Sequence, residues 1–216
     1  MKVFIGYDIR QPIAFQVLAH SIWSFASKPV EIIRLDIRQM PIKRTSLTEF
    51  TYSRYCVPYL CGYRGTALFL DADMLLLDDI WKLDAIARDM PHSVCLVKNK
   101  LRFEWTSLMY FHNERCMALT PELVEIGKPQ ALEWATDGVG EIPPEWNHCI
   151  GYDDHNPRAK LAHYTAGVPC WPETSKCRFA KEWKTLATDA ASTVSWADLM
   201  AKSVHAQLVT SGKIAA

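Results

Sequence analysis

The sequence predicts an α/β fold with a mainly parallel central sheet flanked by helices. Short apolar runs alternate with helical patterns through the first half of the 216-residue chain, as they do where crossover helices connect parallel strands. Ala67–Leu70 is apolar at every position, which is typical of a central strand covered by helices on both faces. No repeat, low-complexity tract or linker divides the chain, so we expect one domain over residues 1–216.

The first two elements are a strand and a helix. The strand is expected at Val3–Tyr7, which is short and apolar. A helix is expected at Gln11–Phe25, because Ile13, Val17 and Ile22 recur near helical spacing and a proline is acceptable in the first turn. Together they predict the start of an α/β sheet.

The next elements lead to the central strand. Glu31–Leu35 is predicted as the second strand. Ser46–Glu49 has the form of a capping box, which predicts a helix that runs towards Cys61 before a glycine ends it. Ala67–Leu70 is then the third strand.

The middle of the chain continues the alternation. A helix is expected at Ile80–Asp89, then a strand at Ser93–Val97 and another extended run at Ser107–Phe111. Thr120 has N-cap chemistry, with a proline after it, for a helical pattern that continues to Ala135 with a break between.

The last part of the chain changes character. Residues 137–158 are rich in Gly, Pro, Trp and acidic side chains, which predicts ordered loops before a late strand at Leu161–Thr165. Residues 176–216 contain two helical patterns, at Lys176–Ala187 and Trp196–Val209. We expect these helices to cap the sheet or to provide a contact surface for an oligomer.

The composition excludes several classes of protein. With 24 basic and 24 acidic side chains, the chain lacks the positive excess that nucleic acids and anionic membranes attract. No apolar run approaches the ~20 residues of a membrane span, and Asp8 leaves the first apolar run too short for a signal peptide. The seven cysteines contain no Cys-x-x-Cys pair, which favours free thiols over a zinc ribbon. We therefore expect a cytoplasmic protein with no nucleic-acid partner and no integral membrane segment.

The sharpest chemical feature is a pair of carboxylates, Asp71 and Asp73, at the carboxyl end of the predicted central strand. Residues two apart on an extended backbone point the same way, and open α/β sheets bind ligands outside the carboxyl ends of their strands. Two hard oxygen donors suit Mg²⁺ or Mn²⁺, ions that keep positions for substrate phosphates. The pair therefore indicates a metal-bound diphosphate. The alternative is an aspartate that caps the next turn beside a solvated one.

Short segments from Val3 to Trp171 strengthen this interpretation. They are Phe4–Asp8, Ala19–Ile22, Tyr52–Tyr55, Leu68–Leu76 and His163–Trp171. Together they resemble family 8 of the retaining nucleotide-sugar glycosyltransferases, which includes glycogenin and the bacterial lipooligosaccharide galactosyltransferases. The resemblance implies the GT-A fold, with the sheet and donor site in residues 1–175 and a C-terminal helical segment in residues 176–216.

The resemblance also implies roles for individual residues. Asp71, Asp73 and His163 would hold Mn²⁺ or Mg²⁺. The residues that would contact the nucleotide sugar are Gly6, Tyr7, Asp8, Arg54, Ala72 and Gly167. Asp8 would bind the base or ribose, and Arg54 would hold a sugar hydroxyl or the second aspartate, Asp73. The loop-like segments offer three residues to position the sugar: Asp137, Ser107 and Asn113.

The implied activity is transfer of a sugar, glucose or galactose first, from a UDP-sugar with retention of configuration. The acceptor would be a glycan, a lipid-linked glycan or a protein. The chain departs from the family at Ala166 and Pro169, where a glycine and a diphosphate-binding lysine commonly stand. Gly167 would supply the close backbone approach. Three residues are candidates for the missing charge: Lys160, Lys176 and Arg178.

Two other functions are consistent with the residues. A degenerate family member would bind a sugar nucleotide or a partner protein without turnover, as the missing lysine and short chain suggest. A haloacid-dehalogenase-like phosphatase also has Asp-x-Asp after an apolar strand, with Asp71 as nucleophile and Asp73 as acid. That motif normally continues with Thr or Val where this chain has Leu75, and it normally stands nearer the N-terminus.

Overall fold

The computed structural model describes residues 1–192 together with residues 199, 200 and 203. Nine strands lie in this part of the chain: β1 Lys2–Gly6, β2 Glu31–Leu35, β3 Thr66–Leu70, β4 Met74–Leu76, β5 Val94–Leu96, β6 Leu108–His112, β7 Val139–Glu141, β8 His148–Cys149 and β9 Leu161–His163. The same part contains five α-helices: α1 Pro12–Phe25, α2 Val57–Leu60, α3 Ile80–Ala87, α4 Pro121–Ile126 and α5 Ala180–Ala191.

The central sheet has six strands in the order β2-β1-β3-β6-β5-β7. Strand β1 is parallel to β2 and β3, and β5 is parallel to β7, whereas β6 is antiparallel to both of its neighbours. Because crossover helices connect the parallel strands, the mixed α/β sheet forms as the sequence predicts. The predicted fold class is confirmed.

Strand β3 lies in the interior of this sheet. Leu68, Phe69 and Leu70 are fully buried, and burying each such side chain contributes on the order of 2 kcal/mol to folding. Helix α1 buries Ile13 and Val17 on its inner face and packs against β4 and α5. The segment that carries Asp71 and Asp73 therefore follows a rigid, well-packed strand.

A second, three-stranded sheet in the order β4-β9-β8 stands beside the first. Its antiparallel β4–β9 pair places Met74 opposite His163, and the Tyr164 N–H donates to the Asp73 carbonyl at 2.8 Å. Distant parts of the sequence are thus joined where the Asp-x-Asp segment ends. The sequence predicted the late strand but not its partner β4.

The direction of β6 decides which loops reach the carboxyl end of β3. In this antiparallel pair Leu108 lies opposite Leu70, and His112 lies opposite Thr66. Residues just before β6 therefore adjoin Asp71. Asn113, just after it, emerges roughly 13 Å further along the strand, at the other end of the sheet.

The helix predicted from Ser46–Glu49 towards Cys61 is wrong for most of its length. Only a 3₁₀ turn at Ser53–Cys56 and the short helix α2 form there. The Glu49 carboxylate accepts a hydrogen bond from the Ile9 N–H instead of closing a capping box. The segment is held against the loop after β1 and so remains irregular.

The later elements differ in smaller ways. Val139–Glu141, expected within a loop, adds an edge strand to the sheet. The helix expected at Lys176–Ala187 is α5, which begins at Ala180 and packs on α1. Of the helix expected at Trp196–Val209 only residues 199, 200 and 203 are described, and Leu199 and Met200 are buried in the core. All seven cysteines are free thiols, as predicted. Within the described ranges, no helix has the length and apolar character to cross a bilayer.

Candidate functional site

The two aspartates occupy the turn between β3 and β4. The Asp71 N–H donates to the Ser107 carbonyl at 2.8 Å, which ties the end of β3 to the start of β6. Asp73 directly precedes β4 and is fixed through its carbonyl by Tyr164. Both side chains are thus positioned by backbone hydrogen bonds between strands rather than by a flexible loop.

Asp71, Asp73 and His163 converge on one point. One ligand atom from each residue lies within 4.8 Å of the other two, and His163 Nε2 is 3.4 Å from Asp73 Oδ1. Asp71 Oδ1 and Asp73 Oδ1 are both buried, and within the described part of the chain Asp73 Oδ1 accepts no hydrogen bond, whereas Asp71 Oδ1 is ion-paired with Arg54. Two carboxylates and an imidazole are a donor set that suits a divalent cation.

Arg54 is the charge partner of the first aspartate rather than the second. Its Nη2 lies 2.9 Å from Asp71 Oδ1, and its Nη1 donates to the Thr106 carbonyl at 2.7 Å. The guanidinium also lies over the ring of Phe69, 4.9 Å from the centroid. Because Arg54 is almost fully buried, it orients Asp71 and compensates its charge.

The electrostatics of the cluster reflect its burial. Burial raises the pKa of Asp71 to about 7, and the neighbouring carboxylates of Asp73 and Glu104 add to the rise, against the influence of Arg54 and His163. Burial alone would lower the pKa of His163, but Asp73 and Asp71 hold that pKa well above its usual value. The cluster therefore retains protons at neutral pH that a bound cation would displace.

The orientation of His163 is set by Asn147. Asn147 Nδ2 donates to the Glu104 carbonyl at 3.2 Å and to Ser107 Oγ at 2.8 Å. A carbonyl can only accept, so Asn147 Oδ1 is the atom 3.0 Å from His163 Nδ1, and Nδ1 carries the proton. Nε2 faces Asp73, and its proton is the one that a bound cation would displace to make Nε2 a ligand.

Two adjoining cavities meet at this cluster. The first has a volume of about 610 Å³ and is lined by residues that include all three members of the cluster. The second has a volume of about 400 Å³ and reaches Asp8 and Gly167. Both are lined by Leu47, Thr48, Phe50 and Asp73, so the second aspartate lies at their boundary.

The residues expected to contact the nucleotide are only partly in place. Asp8, Ala72 and Gly167 line the second cavity, and Gly167 has a φ of +110°, which a side chain would strain. Tyr7 and Gly6 line neither cavity.

Tyr7 and Gly6 instead contribute to packing. The Tyr7 ring makes an edge contact with Phe15 and lies under the guanidinium of Arg34. A Cβ at Gly6 would overlap the ring of Phe50, which lines both cavities. Gly6 therefore shapes the site indirectly, and Tyr7 offers no face to a base in this arrangement.

The residues expected to position the sugar lie elsewhere. Asp137 accepts hydrogen bonds from the Ser93 N–H and hydroxyl and pairs with Arg115, at the end of the sheet opposite Asp71. Asn113 is at that same end and donates to the Arg64 carbonyl. Neither lines a cavity around the cluster. Ser107 is at the correct end, but it is buried and supports Asn147.

Sequence reasoning missed several polar residues at the site, and four of them are placed as follows. Arg10 lines the second cavity, Glu104 and Gln130 line the first, and Asn147 lies behind His163. Arg10 had a local signal, since it stands two residues after Asp8. Glu104 is brought in by the antiparallel course of β6, and Asn147 by its place directly before β8, which pairs with β9. No local spacing reveals these two residues or Gln130.

No protein-family model matches the sequence. It is 31% identical to "Protein CDI" of Arabidopsis thaliana over 84% of this chain and 84% of that protein.

Among solved structures, 94% of the chain superposes on the bifunctional glycosyltransferase WbbM with a TM-score of 0.67 and 15% identity. The galactosyltransferase LgtC, solved with donor and acceptor sugar analogs, matches 88% of the chain with a TM-score of 0.57 and 12% identity. The glycosyltransferase GlyE of Streptococcus pneumoniae TIGR4 matches 86% with a TM-score of 0.60 and 16% identity.

The chain spans 51% of WbbM and 60% of GlyE but 96% of LgtC. At these identities the likenesses establish the fold, which is the predicted GT-A fold.

Proposed function

Since the chain belongs to the family of Protein CDI and has the GT-A glycosyltransferase fold, we propose that it is a metal-dependent glycosyltransferase. In this proposal it moves a hexose, glucose or galactose, from a UDP-sugar to an acceptor with retention of configuration. The acceptor is a glycan, a lipid-linked glycan or a protein. LgtC, described as a galactosyltransferase, supports the choice of sugar.

One observation carries the proposal. Asp71, Asp73 and His163 form a compact set of ligands at the carboxyl end of a buried strand, at the boundary of two cavities. In the described residues the buried Oδ1 of Asp73 accepts no hydrogen bond, whereas the buried Oδ1 of Asp71 is ion-paired with Arg54. A buried carboxylate oxygen without a hydrogen bond is costly, and a cation would compensate it.

These residues would hold Mn²⁺ or Mg²⁺, which supplies Lewis-acid stabilisation of the diphosphate leaving group. Arg54 holds Asp71 in position and compensates part of its charge. Asn147 keeps the proton on His163 Nδ1, so that Nε2 is free to ligate. With the nucleotide in the second cavity, the sugar would lie in the first, across Asp73 from the base.

Arg10 is the cation best placed to assist the diphosphate. Its Nε and Nη2 donate to the Asp8 carboxylate at 2.9 and 2.5 Å, and its half-exposed side chain lines the second cavity with Asp73 and Gly167. The three cations that the sequence offered, Lys160, Lys176 and Arg178, line neither cavity. Lys160 instead lies near Glu145.

Replacing Arg10 by alanine is expected to weaken UDP binding about tenfold, because a charge-assisted hydrogen bond to phosphate is lost. Calorimetry with UDP in the presence of Mn²⁺ measures the change. Arg38→Ala is a matched control, since Arg38 makes the same i,i+2 pair with Asp36 and lines neither cavity. Equal affinities for UDP in wild type and Arg10→Ala would exclude this role.

Replacing Asn147 by leucine is expected to lower Mn²⁺ affinity about 10- to 100-fold, as is usual when the hydrogen-bond partner of a metal-ligating histidine is removed. Asn147→Asp loses the same Nδ2 donors but keeps an acceptor for His163 Nδ1–H, so it should retain most of the affinity. Titration of Mn²⁺ followed by electron paramagnetic resonance, without nucleotide, compares the two variants. The same loss in both would show that the contact with His163 is not the cause.

The activity itself is tested in two steps. Calorimetry with Mn²⁺ and UDP establishes whether a metal-dependent nucleotide site exists, and release of UDP from a panel of UDP-sugars then detects turnover. Binding followed by slow UDP release supports the glycosyltransferase. Binding with no release from any donor, with or without acceptors, favours the degenerate sugar-nucleotide-binding protein. An absence of metal-dependent binding would remove both.

The phosphatase interpretation loses its main support. It depended on Asp-x-Asp after an apolar strand, and that segment here belongs to a GT-A fold. Asp71, the nucleophile in that interpretation, is only 13% exposed and is ion-paired with the guanidinium of Arg54. We therefore do not include phosphate-ester hydrolysis in the proposal.

A further inference from the structure

Glu104 is a buried carboxylate outside the group formed by Asp71, Asp73 and His163. It lies in the 3₁₀ turn Arg102–Ser107, immediately before β6, and its side chain is only 10% exposed. The backbone around it is fixed, because its N–H donates to the Leu101 carbonyl and its own carbonyl accepts from Asn147. The side chain is thus presented to the first cavity from a rigid support.

The carboxylate has unused hydrogen-bonding capacity. None of the hydrogen bonds in the described part of the chain involves its oxygens. The nearest charged group is His163, whose Nδ1 lies 3.7 Å from Glu104 Oε2 and already donates to Asn147 at 3.0 Å. A buried carboxylate with free acceptor sites in a cavity is suited to accept hydrogen bonds from a ligand.

Glu104 is separate from the cation-binding group. The residues whose ligand atoms converge are Asp71, Asp73 and His163, without Glu104. Glu104 faces Nδ1 of His163, whereas Nε2 faces Asp73. Its position therefore favours contact with a ligand in the first cavity over direct coordination of the cation.

The arrangement of the cavities indicates which part of a donor reaches Glu104. Asp8, Arg10 and Gly167 belong to the second cavity, and Asp73 stands at the boundary. A donor with its nucleotide in the second cavity and its diphosphate at Asp73 extends its sugar into the first. A negatively charged carboxylate repels phosphate but accepts readily from hydroxyl groups.

We propose that Glu104 binds hydroxyl groups of the transferred sugar and thereby contributes to selection of the donor. This inference rests on the proposed function, and it deepens it by naming a sugar-recognition residue. Asp137, the carboxylate expected here from the sequence, lies at the opposite end of the sheet with Ser93 and Arg115. The two oxygens of Glu104 allow contact with two neighbouring hydroxyls of one hexose.

The test compares ligands with and without the sugar. In calorimetry with Mn²⁺, Glu104→Ala should bind UDP within about twofold of wild type and bind UDP-glucose or UDP-galactose, whichever wild type prefers, about tenfold more weakly. Glu104→Gln keeps the side-chain volume and one acceptor oxygen, so a smaller loss is expected. Glu145→Gln is the control, because Glu145 lies in a neighbouring 3₁₀ turn and lines neither cavity.

Each other result has a distinct meaning. Unchanged UDP-sugar affinity in both Glu104 variants overturns the inference. An equal loss for UDP and UDP-sugar, or a loss of Mn²⁺ affinity without nucleotide, assigns Glu104 to the cation site and also overturns it. If wild type binds no UDP with Mn²⁺, the proposed function fails first. Thermal unfolding of Glu104→Gln and of wild type shows whether the substitution causes a general folding defect.

Discussion

Asp73→Asn is expected to reduce Mn²⁺-dependent binding of UDP by at least about 100-fold, since even outer partners of metal ligands cost 10- to 100-fold. The substitution keeps the shape of the side chain but removes the negative charge at the boundary of the two cavities. Its buried Oδ1, which accepts no hydrogen bond in the described residues, is one of the atoms best placed for a cation. Calorimetry with Mn²⁺ and UDP, followed by UDP release from a UDP-sugar, measures both consequences.

Asp137→Asn is the matched control for this experiment. It makes the same chemical change in a carboxylate that lies at the other end of the sheet, where Ser93 and Arg115 bind it. Nucleotide binding and UDP release should be unaffected. Activity of Asp73→Asn equal to that of wild type would refute the cation site as we have placed it.

Arg54→Ala is expected to destabilise the protein by about 3 kcal/mol, because it leaves the buried carboxylate of Asp71 without its partner. It also removes a donor from the Thr106 carbonyl. Urea unfolding, without added metal, measures the free energy of unfolding.

The loss of unfolding free energy in Arg54→Ala should depend on pH. The pKa of Asp71 is raised to about 7 by burial even with Arg54 present, and loss of the guanidinium raises it further. A carboxyl whose pKa is higher in the folded than in the unfolded state stabilises the fold when protonated and loses that stabilisation as the pH rises. The stability deficit of Arg54→Ala should therefore grow as the pH rises through 7.

The double variant Arg54→Ala with Asp71→Asn separates charge from packing. An asparagine has no charge to compensate, so the double variant should recover part of the stability that the single variant loses. The pH dependence of the deficit should also disappear. A double variant as unstable as the sum of the two single variants would mean that Arg54 acts mainly through packing on Phe69 and through Thr106.

The aspartates and the histidine of the proposed cation site differ in how far the sequence reveals them. The Asp-x-Asp segment is local, because two alternate positions at the end of an apolar strand necessarily lie close together. The contribution of His163 depends on the β4–β9 pair, which spans some ninety residues. Its motif pointed to the site only through a resemblance, since a single histidine near a strand end carries no geometric information.

Local physical chemistry explains why much of the fold could be predicted. Buried strands such as β1 and β3 read as apolar runs, and the inner face of α1 reads as a helical repeat, so each element is visible in its own residues. The run at Ser46–Glu49 has the same local features as a helix start, yet its Glu49 bonds to the distant Ile9. Where a side chain finds a partner outside its own segment, local propensity fails.

The sequence alone determined the α/β class, the succession of most strands and helices along the chain, and the two aspartates at the end of β3. Only the tertiary structure decided which loops surround those aspartates. Because β6 runs antiparallel to β3, Glu104 and Ser107 lie at the site, whereas Asn113 and Asp137 lie at the opposite end. Strand direction is set by the packing of the whole sheet, and the residues of a single extended run look the same in either direction.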